Sequence, residues 1–279
     1  MESIPRRQLD LDFDPEAVPR DWYADDPYTT TFLDALSMLF PEGERFCVES
    51  VKQHKQYVTG DLRHAVTGFI GQEAMHGKEH RAFNEMLVAH GYREAPRVGR
   101  GLKWFLKRVR RTLSPRSQLA VTCGLEHFTA ILAEGLLTAP SMRRDMHESV
   151  RNLWAWHALE ESEHKAVAFD VYRAAGGSYT RRVAIMLLTT AVFFGYLGGV
   201  HARLMATRGV LFRPWRWARG ITKMWIWPAH FTRLVPAYFA YYRPGFHPDD
   251  RDTRALLATW RDRLFGDIGE LREQLLRAG

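Results

Sequence analysis

The chain has 279 residues, 46% of them hydrophobic and nine of them tryptophan, enough to bury a sizeable core as one large domain or one domain with an extension. Two cysteines, Cys47 and Cys123, exclude a disulfide framework and a cysteine zinc site and fit a reducing cytoplasm, and the first residues, Met1 to Arg7, lack the apolar run of a signal peptide. The net charge of +7 is segregated: residues 171 to 248 hold eleven Lys and Arg and no Asp or Glu, so a mildly acidic body is joined to a basic, aromatic segment suited to partners of negative charge.

Residues 1–27, rich in Pro, Asp and Arg with little periodicity, read as an extended arm. A short helix is expected from Tyr28 to Phe40, with Pro41-Glu42-Gly43-Glu44 opening the next, because proline and acids favour a helix start. That second helix places Glu44 at the head of an apolar stripe, with Cys47 in the core beside it. Glu49 is the weaker candidate, since its helical neighbours are Arg45, Lys52 and Gln53. Asp61 is the expected N-cap of a helix running to His90 and ended by Gly91, with an inward face of Val66, Phe69, Glu73, His76, His80, Phe83 and Leu87. A basic connector from Arg93 to Arg111 reads as an amphipathic surface helix. Ser114-Pro115 then opens a long helix to Thr138, whose face carries Leu119, Thr122, Cys123, Glu126, Thr129, Ala130 and Ala133.

The next long helix, Met146 to Ala175 with Gly176-Gly177 after it, holds His157, Glu161 and His164. Those spacings of four and three residues stack on one face of a helix with about 3.6 residues per turn. Trp154, Ala168 and Val171 continue the face, so it points into the core. A buried, uncompensated Glu is costly, and a metal ion is the simplest compensation. Beyond it, Val183 to Val200 is an uncharged run at the lower limit of length for a membrane span. Three readings are open: a span, a monotopic helix lying with the Trp-rich segment 210–245 on anionic lipid, or a helix buried against the body. Residues 249–276 read as a closing amphipathic helix. The cations lie among apolar runs without a nucleic-acid motif, so nucleic acid is not an expected partner.

In chain order the acids and imidazoles are Glu44; Glu73 with His76; Glu126; Glu161 with His164. This is the ligand pattern of carboxylate-bridged di-iron and di-manganese four-helix bundles. A lone ExxH pair is weak, because Glu and His three apart often meet on a helix surface. Two pairs together with two correctly ordered Glu-bearing helices carry the reading. His80 is expected beside or behind the ligands, His127 and Glu134 at helix contacts or the surface, and Glu163 turned away toward cations. The expected fold is all-α: a four-helix bundle at 28–177 and, over 178–279, an extension packed on the bundle or on a membrane surface. Four hard carboxylates stabilise an oxidised metal while neutral imidazoles leave positions open, which favours redox chemistry with O2.

From Pro41 to Tyr172 the chain resembles the ferritin-like di-iron oxygenase superfamily. His157, one turn before Glu161, completes an HxxxExxH pattern similar to that of the p-aminobenzoate N-oxygenase family, and the resemblance implies His157 as a third imidazole ligand. Phe40-Pro41-Glu42-Gly43-Glu44-Arg45-Phe46, Glu126-His127-Phe128-Thr129 and Phe246-His247-Pro248 resemble a bacterial family catalogued as predicted metal-dependent hydrolases. The superfamily further implies that Gln72 and Glu160, each just before an ExxH glutamate, orient the histidine of the opposite pair. The cavity beside the ligands is then expected to be lined by Cys47, Phe69, Thr122, Cys123, Thr129 and Ala130.

The expected activity is oxidation by O2 of a small apolar substrate at two iron ions, with manganese or zinc as other metals the site accepts. Charge segregation suggests an anionic one: a fatty acyl chain, a thioester on an acyl carrier protein, or a lipid. Electrons are expected from an external reductase or ferredoxin, because no GxGxxG fingerprint is present. The alternatives are a hydrolase whose two metals activate water, and a non-catalytic, membrane-associated iron-binding protein. A homodimer is compatible with the sequence, and the expected location is the cytoplasm, either free or peripheral to the inner membrane face, with a single span as the lesser alternative.

Overall fold

Asp26 sets the start of the first helix, its carboxylate accepting from the Tyr28 N–H (3.3 Å) and the Thr29 hydroxyl (2.6 Å), with Pro27 in the first turn. From there α1, Pro27–Lys52, runs straight through Pro41. The expected stop at Phe40 and restart at Pro41 is therefore corrected. Proline lacks the N–H that would bond the Ser37 carbonyl, and that carbonyl instead accepts from Asn84 Nδ2 of the neighbouring helix at 3.2 Å. The cost of an internal proline is thus offset across a helix interface rather than within the helix.

The structure, a computed structural model, describes residues 4–275 and is all-α, with no strand among the described residues. Helix α2, Gly60–Ala89, begins at Thr59, so Asp61 lies in its first turn rather than capping it. Gly91, at φ +94°, turns the chain out of α2, and the Tyr92 N–H reaches back to the Leu87 carbonyl at 3.0 Å. Helix α3, Ala95–Thr112, is the basic connector. Ser114 caps α4, Pro115–Thr138, by accepting from the Ser117 N–H at 3.3 Å. After the short α5, Pro140–Arg144, the expected single helix 146–175 is interrupted at Lys165–Ala166 into α6, Glu148–His164, and α7, Val167–Ala174. Then follow α8, Tyr179–Thr207, α9, Pro214–Ile221, α10, Val235–Ala240, and α11, Arg254–Phe265. The end of the expected closing helix, Leu276, lies outside the described residues.

Helices α1, α2, α4 and α6 form the bundle, with α1 packed most extensively on α2 and α4 on α6, and α8 laid across α1 and α4. Two apolar clusters fill it. One gathers Leu36, Phe83, Leu153, Trp156 and Leu204; the other gathers Val51, Phe69, Leu119, Val171 and Met186. A polar layer lies between them. Each helix buries one face in these clusters, and this hydrophobic burial is what lets the bundle carry a costly polar centre.

Among the described residues two helices are long and apolar enough to cross a membrane by length and composition, α4 and α8. The apolar window of α4 is 61% buried, as befits a core helix; that of α8 is only 22% buried. The reading of 183–200 as a helix buried against the body is therefore corrected, since only one face of α8 packs.

The arm lies along α2. Ile4 rests on Gly68 so closely that a Cβ there would sit 2.6 Å from the Ile4 Cβ and carbonyl oxygen. Gln72 Nε2 donates to the Pro5 carbonyl (2.9 Å) and Lys78 Nζ to that of Leu9 (2.9 Å). This course delivers Arg7 to the underside of the polar layer.

Candidate metal centre

The four bundle helices bring their acids and imidazoles together at one level. Glu73, Glu126, Glu161 and His164 each offer a ligand atom within 4.8 Å of the others, and so, in overlapping sets, do Glu44, Glu73 and His76, and His76, His157 and Glu161. Glu73 and Glu161 belong to both ends of the cage. A pair of ions held here would be ligated by Glu44 at one end and Glu126 at the other, with Glu73 and Glu161 within reach of both. His164 Nε2 lies 3.3 Å from Glu73 Oε1 and 3.5 Å from Glu126 Oε2. His76 Nδ1 and His157 Nε2 lie 3.3 and 3.1 Å from Glu161 Oε1. All seven side chains are buried.

The outward ring nitrogens are engaged, which fixes each tautomer. His76 Nε2 donates to Glu160 Oε2 (3.0 Å) and His164 Nδ1 to Gln72 Oε1 (2.8 Å), so the other nitrogen of each ring faces inward and offers its lone pair to the cage once its own proton is displaced. The third imidazole ends a longer chain: His157 Nδ1 to His80 Nε2 (2.8 Å), His80 Nδ1 to Ser37 Oγ (2.8 Å), and the Ser37 hydroxyl to Asn84 Oδ1 (3.0 Å). The Asn84 oxygen can only accept, so each link donates in that direction and the His157 Nε2 lone pair points into the cage. His80 also lies within 4.8 Å of Glu44 and His157, but both its nitrogens are already bonded, which places it behind His157. Phe40 packs on the His80 and His157 rings, Trp156 meets His76 edge-on and Phe69 meets His164 edge-on at 5.0 Å, so ring rotation is blocked.

The electrostatics are those of an overfilled acidic site. Burial raises the Glu44 and Glu73 carboxyls, and the Glu44 shift is reinforced by the neighbouring Glu73. Burial, then Glu73, pushes Glu126 up to about 8. Glu161 goes the other way: burial opposes its charge, but His164, His157 and His76 hold it well below the usual carboxylate range. His76, although burial disfavours its charge, is lifted to about 10 by Glu160 and Glu161. Protons thus do the neutralising in the absence of a cation.

The residues fit a pair of metal ions. Both oxygens of Glu44 and Glu73, Oε2 of Glu126 and Glu161, Nδ1 of His76 and Nε2 of His157 and His164 are buried without a hydrogen-bond partner. Orphaned polar atoms of this number, all facing one cage, are what cations compensate. Four carboxylates and three imidazoles suit iron, manganese or zinc. Metal binding must displace the protons held on His76 and Glu126, so the apparent affinity falls by about tenfold per pH unit below about 10, where His76 takes its proton, and more steeply below about 8, where Glu126 takes its own. Calorimetry of Mn(II) or Zn(II) binding in buffers of different ionisation enthalpy reads that release; an affinity unchanged between about pH 6 and 8 would contradict it.

The cage opens on a cavity of about 370 Å³ between α1, α3, α4 and α8. Leu36, Phe40, Leu102, Leu106, Phe128 and Phe193 form much of its wall, and Glu44, Glu73, Glu126 and Glu161 are at its end. Cys47 and Thr129 line it. Four other residues assigned to it by sequence do not, and are corrected. Phe69 lies against His164, Thr122 is bound to the Ser50 hydroxyl at 2.6 Å, and Cys123 and Ala130 line a separate pocket of about 30 Å³ on the far side of Glu126. On α4, Cys123 and Ala130 face the α7 side and Thr122 faces Ser50 of α1, whereas Leu125, Thr129 and Leu132 line the large cavity. His127 is buried against the Ala237 carbonyl (3.1 Å), and Glu134 pairs with Arg251. Glu49 is outside the cage, held by Arg45 and Arg110.

Sequence reasoning missed three contributors. Ser37 and Asn84 stand one turn from Pro41 and His80, a spacing that flags them. Arg7 has no local signal: its guanidinium bonds Glu160 (2.9 Å) and Glu163 (2.8 Å) across the molecule. Glu163 keeps Arg261 and Gln72, but among the described residues Glu160 has only Arg7 and His76. Arg7→Ala is expected to lower stability by about 3 kcal/mol, since it strands a buried carboxylate, and to weaken metal affinity by about tenfold or more through a loosened His76. Denaturant melts and chelator competition check both, and an unchanged midpoint would show the arm to be dispensable.

The model of a family described as "Predicted metal-dependent hydrolase" matches residues 5–252, a span that takes in the arm and the whole cage. No curated protein and no solved structure matches the chain.

Proposed function

The chain belongs to the predicted metal-dependent hydrolase family, and from that premise we propose that it is a dinuclear metal enzyme acting on an apolar chain held in the cavity beside the cage. The reaction best supported by the donor set is oxidation by O2: one oxygen atom enters a C–H bond of the substrate, the other leaves as water, and an external donor supplies two electrons with two protons. The observation that carries this reading is the meeting of a four-carboxylate cage with an almost wholly apolar cavity. When bound, a pair of iron ions supplies redox equivalents and Lewis acidity. The rest is the work of the chain. Glu73 and Glu161 hold the two positions together, Glu160, Gln72 and His80 keep three imidazoles aimed inward, and the Leu and Phe wall binds the substrate and excludes bulk water.

A second reading, hydrolysis by metal-activated water, is favoured by the description of the family. The two readings part on the source of oxygen. Protein loaded anaerobically with Fe(II) and then given isotopically labelled O2, a reductant and acyl substrates is expected to consume O2 and carry label into product. Turnover without O2, with zinc or manganese loaded and oxygen drawn from water, would replace oxidation with hydrolysis.

A further inference from the structure

The outward face of α8 has the composition of a core. Leu187, Leu188, Val192 and Phe194 are exposed there, and no charge interrupts the helix between Arg182 and Arg203. A helix face turned to water normally carries polar side chains. On one flank, Tyr196 ties α8 to α3, its hydroxyl donating to the Val98 carbonyl at 3.3 Å and its ring stacking on Phe105. On the other, Thr190 meets the Tyr238 hydroxyl at 3.0 Å. This second flank presents Trp225, Ile226, Trp227 and Phe239, with Trp227 76% exposed. The three elements therefore form one surface, and none contains an acid: α3, α8 and the segment 210–247 have no Asp or Glu. Arg100, Lys103, Lys107, Arg203, Arg219 and Arg233 are exposed along it.

Both apolar cavities reach this face. Leu188 and Val192 line the cavity that ends at the cage and are themselves exposed. A second cavity of about 350 Å³ is walled by Phe194, Trp225, Val235 and Phe239, also exposed, and shares Leu36, Phe128, Leu132 and Phe193 with the first. We propose that this surface docks the protein flat on a bilayer containing anionic lipid, so that both cavities open onto the hydrocarbon. Apolar side chains insert between acyl chains while the cations meet lipid phosphates. A second copy of the chain fits poorly, because a two-fold contact would set the same cations against themselves. A span fits poorly as well: the inner side of α8 is held to the bundle, His201 Nε2 bonding the Tyr28 carbonyl at 3.2 Å and Arg182 the Tyr241 and Arg243 carbonyls. Delivery of substrate from the bilayer to the cage rests on the function proposed above. Docking itself does not.

The test is flotation of the full-length, metal-loaded protein with vesicles of phosphatidylcholine alone or mixed with phosphatidylglycerol. Binding to the mixed vesicles, at least about tenfold tighter than to the neutral ones, lost at high salt and released by alkaline carbonate, is the expected result. A double variant, Leu187→Asp with Ile226→Asp, touches neither cavity and is expected to bind at least about tenfold more weakly, with helicity and metal content unchanged. Absence of binding at low salt, equal binding to neutral vesicles, resistance to carbonate, or a dimer that the same variant splits while vesicles stay unbound would each overturn the proposal. None of these readouts depends on turnover, so failure of docking and failure of the oxidation reading are separable.

Discussion

Chains carrying Glu161→Gln will fold but fall from about two bound metal ions to fewer than about one, and turnover will drop by about a thousandfold or more. The substitution keeps the volume of the side chain and removes its charge. Glu161 is one of the two acids that both ends of the cage share, and three imidazole nitrogens converge on it. It is also the one cage carboxylate whose pKa is depressed rather than raised, so it contributes a full negative charge while its neighbours hold protons. Loss of that charge removes attraction for both ions at once. Several kcal/mol of metal-derived stabilisation are then forfeited, at about 1.36 kcal/mol per tenfold in rate. Folding should survive because the cage is one layer between two apolar clusters that the change leaves alone. Elemental analysis beside circular dichroism checks this, and two ions retained per chain would remove Glu161 from the ligand set.

Gly43→Leu is expected to do the opposite: keep the metal and lose the substrate. Gly43 lines the large cavity, and a Cβ built on it meets nothing within 4 Å, so a longer side chain grows into empty space. Replacing glycine inside α1 also relieves a helix penalty of about 1 kcal/mol. The variant should therefore be as stable as the parent or slightly more so, with metal content unchanged and kcat/KM for a long apolar substrate lowered by about a hundredfold, the discrimination a few methylenes achieve in an apolar pocket. Short substrates should lose less. Equal losses for short and long substrates would mean that the cavity is not where the chain lies.

The cage was legible in the sequence because its side chains are set by helical spacing, which is local: Glu73 with His76, and His157, Glu161 and His164, need only one helix each to share a face. The all-α class was legible for the same reason. What the sequence hid depends on distant partners. Pro41 reads as a helix start until Asn84 is seen to take the Ser37 carbonyl. Arg7 reads as part of a charged arm until the chain returns beneath it with Glu160 and Glu163. The cavity wall was only half legible, because α3 and α8 supply much of it and their rotation about α1 and α4 is not written in either helix alone. Apolar periodicity shows that Val183–Val200 is helical, but not how much of that helix faces outward.

The repair at Pro41 makes the two ends of the cage unequal. Glu44 follows the proline by three residues, and His157 is aimed through His80 and the same Ser37 that Asn84 binds. That end depends on a cross-helix contact between α1 and α2. At the other end, Glu126 stands on the uninterrupted α4, and His164 is aimed by Gln72, which the Pro5 carbonyl and Glu163 anchor. The two ions should therefore differ in lability. Under a chelator the one beside Glu44 is expected to leave first, and a protein offered two different metals to sort them into a mixed pair, the tighter-binding or slower-exchanging ion accumulating beside Glu126.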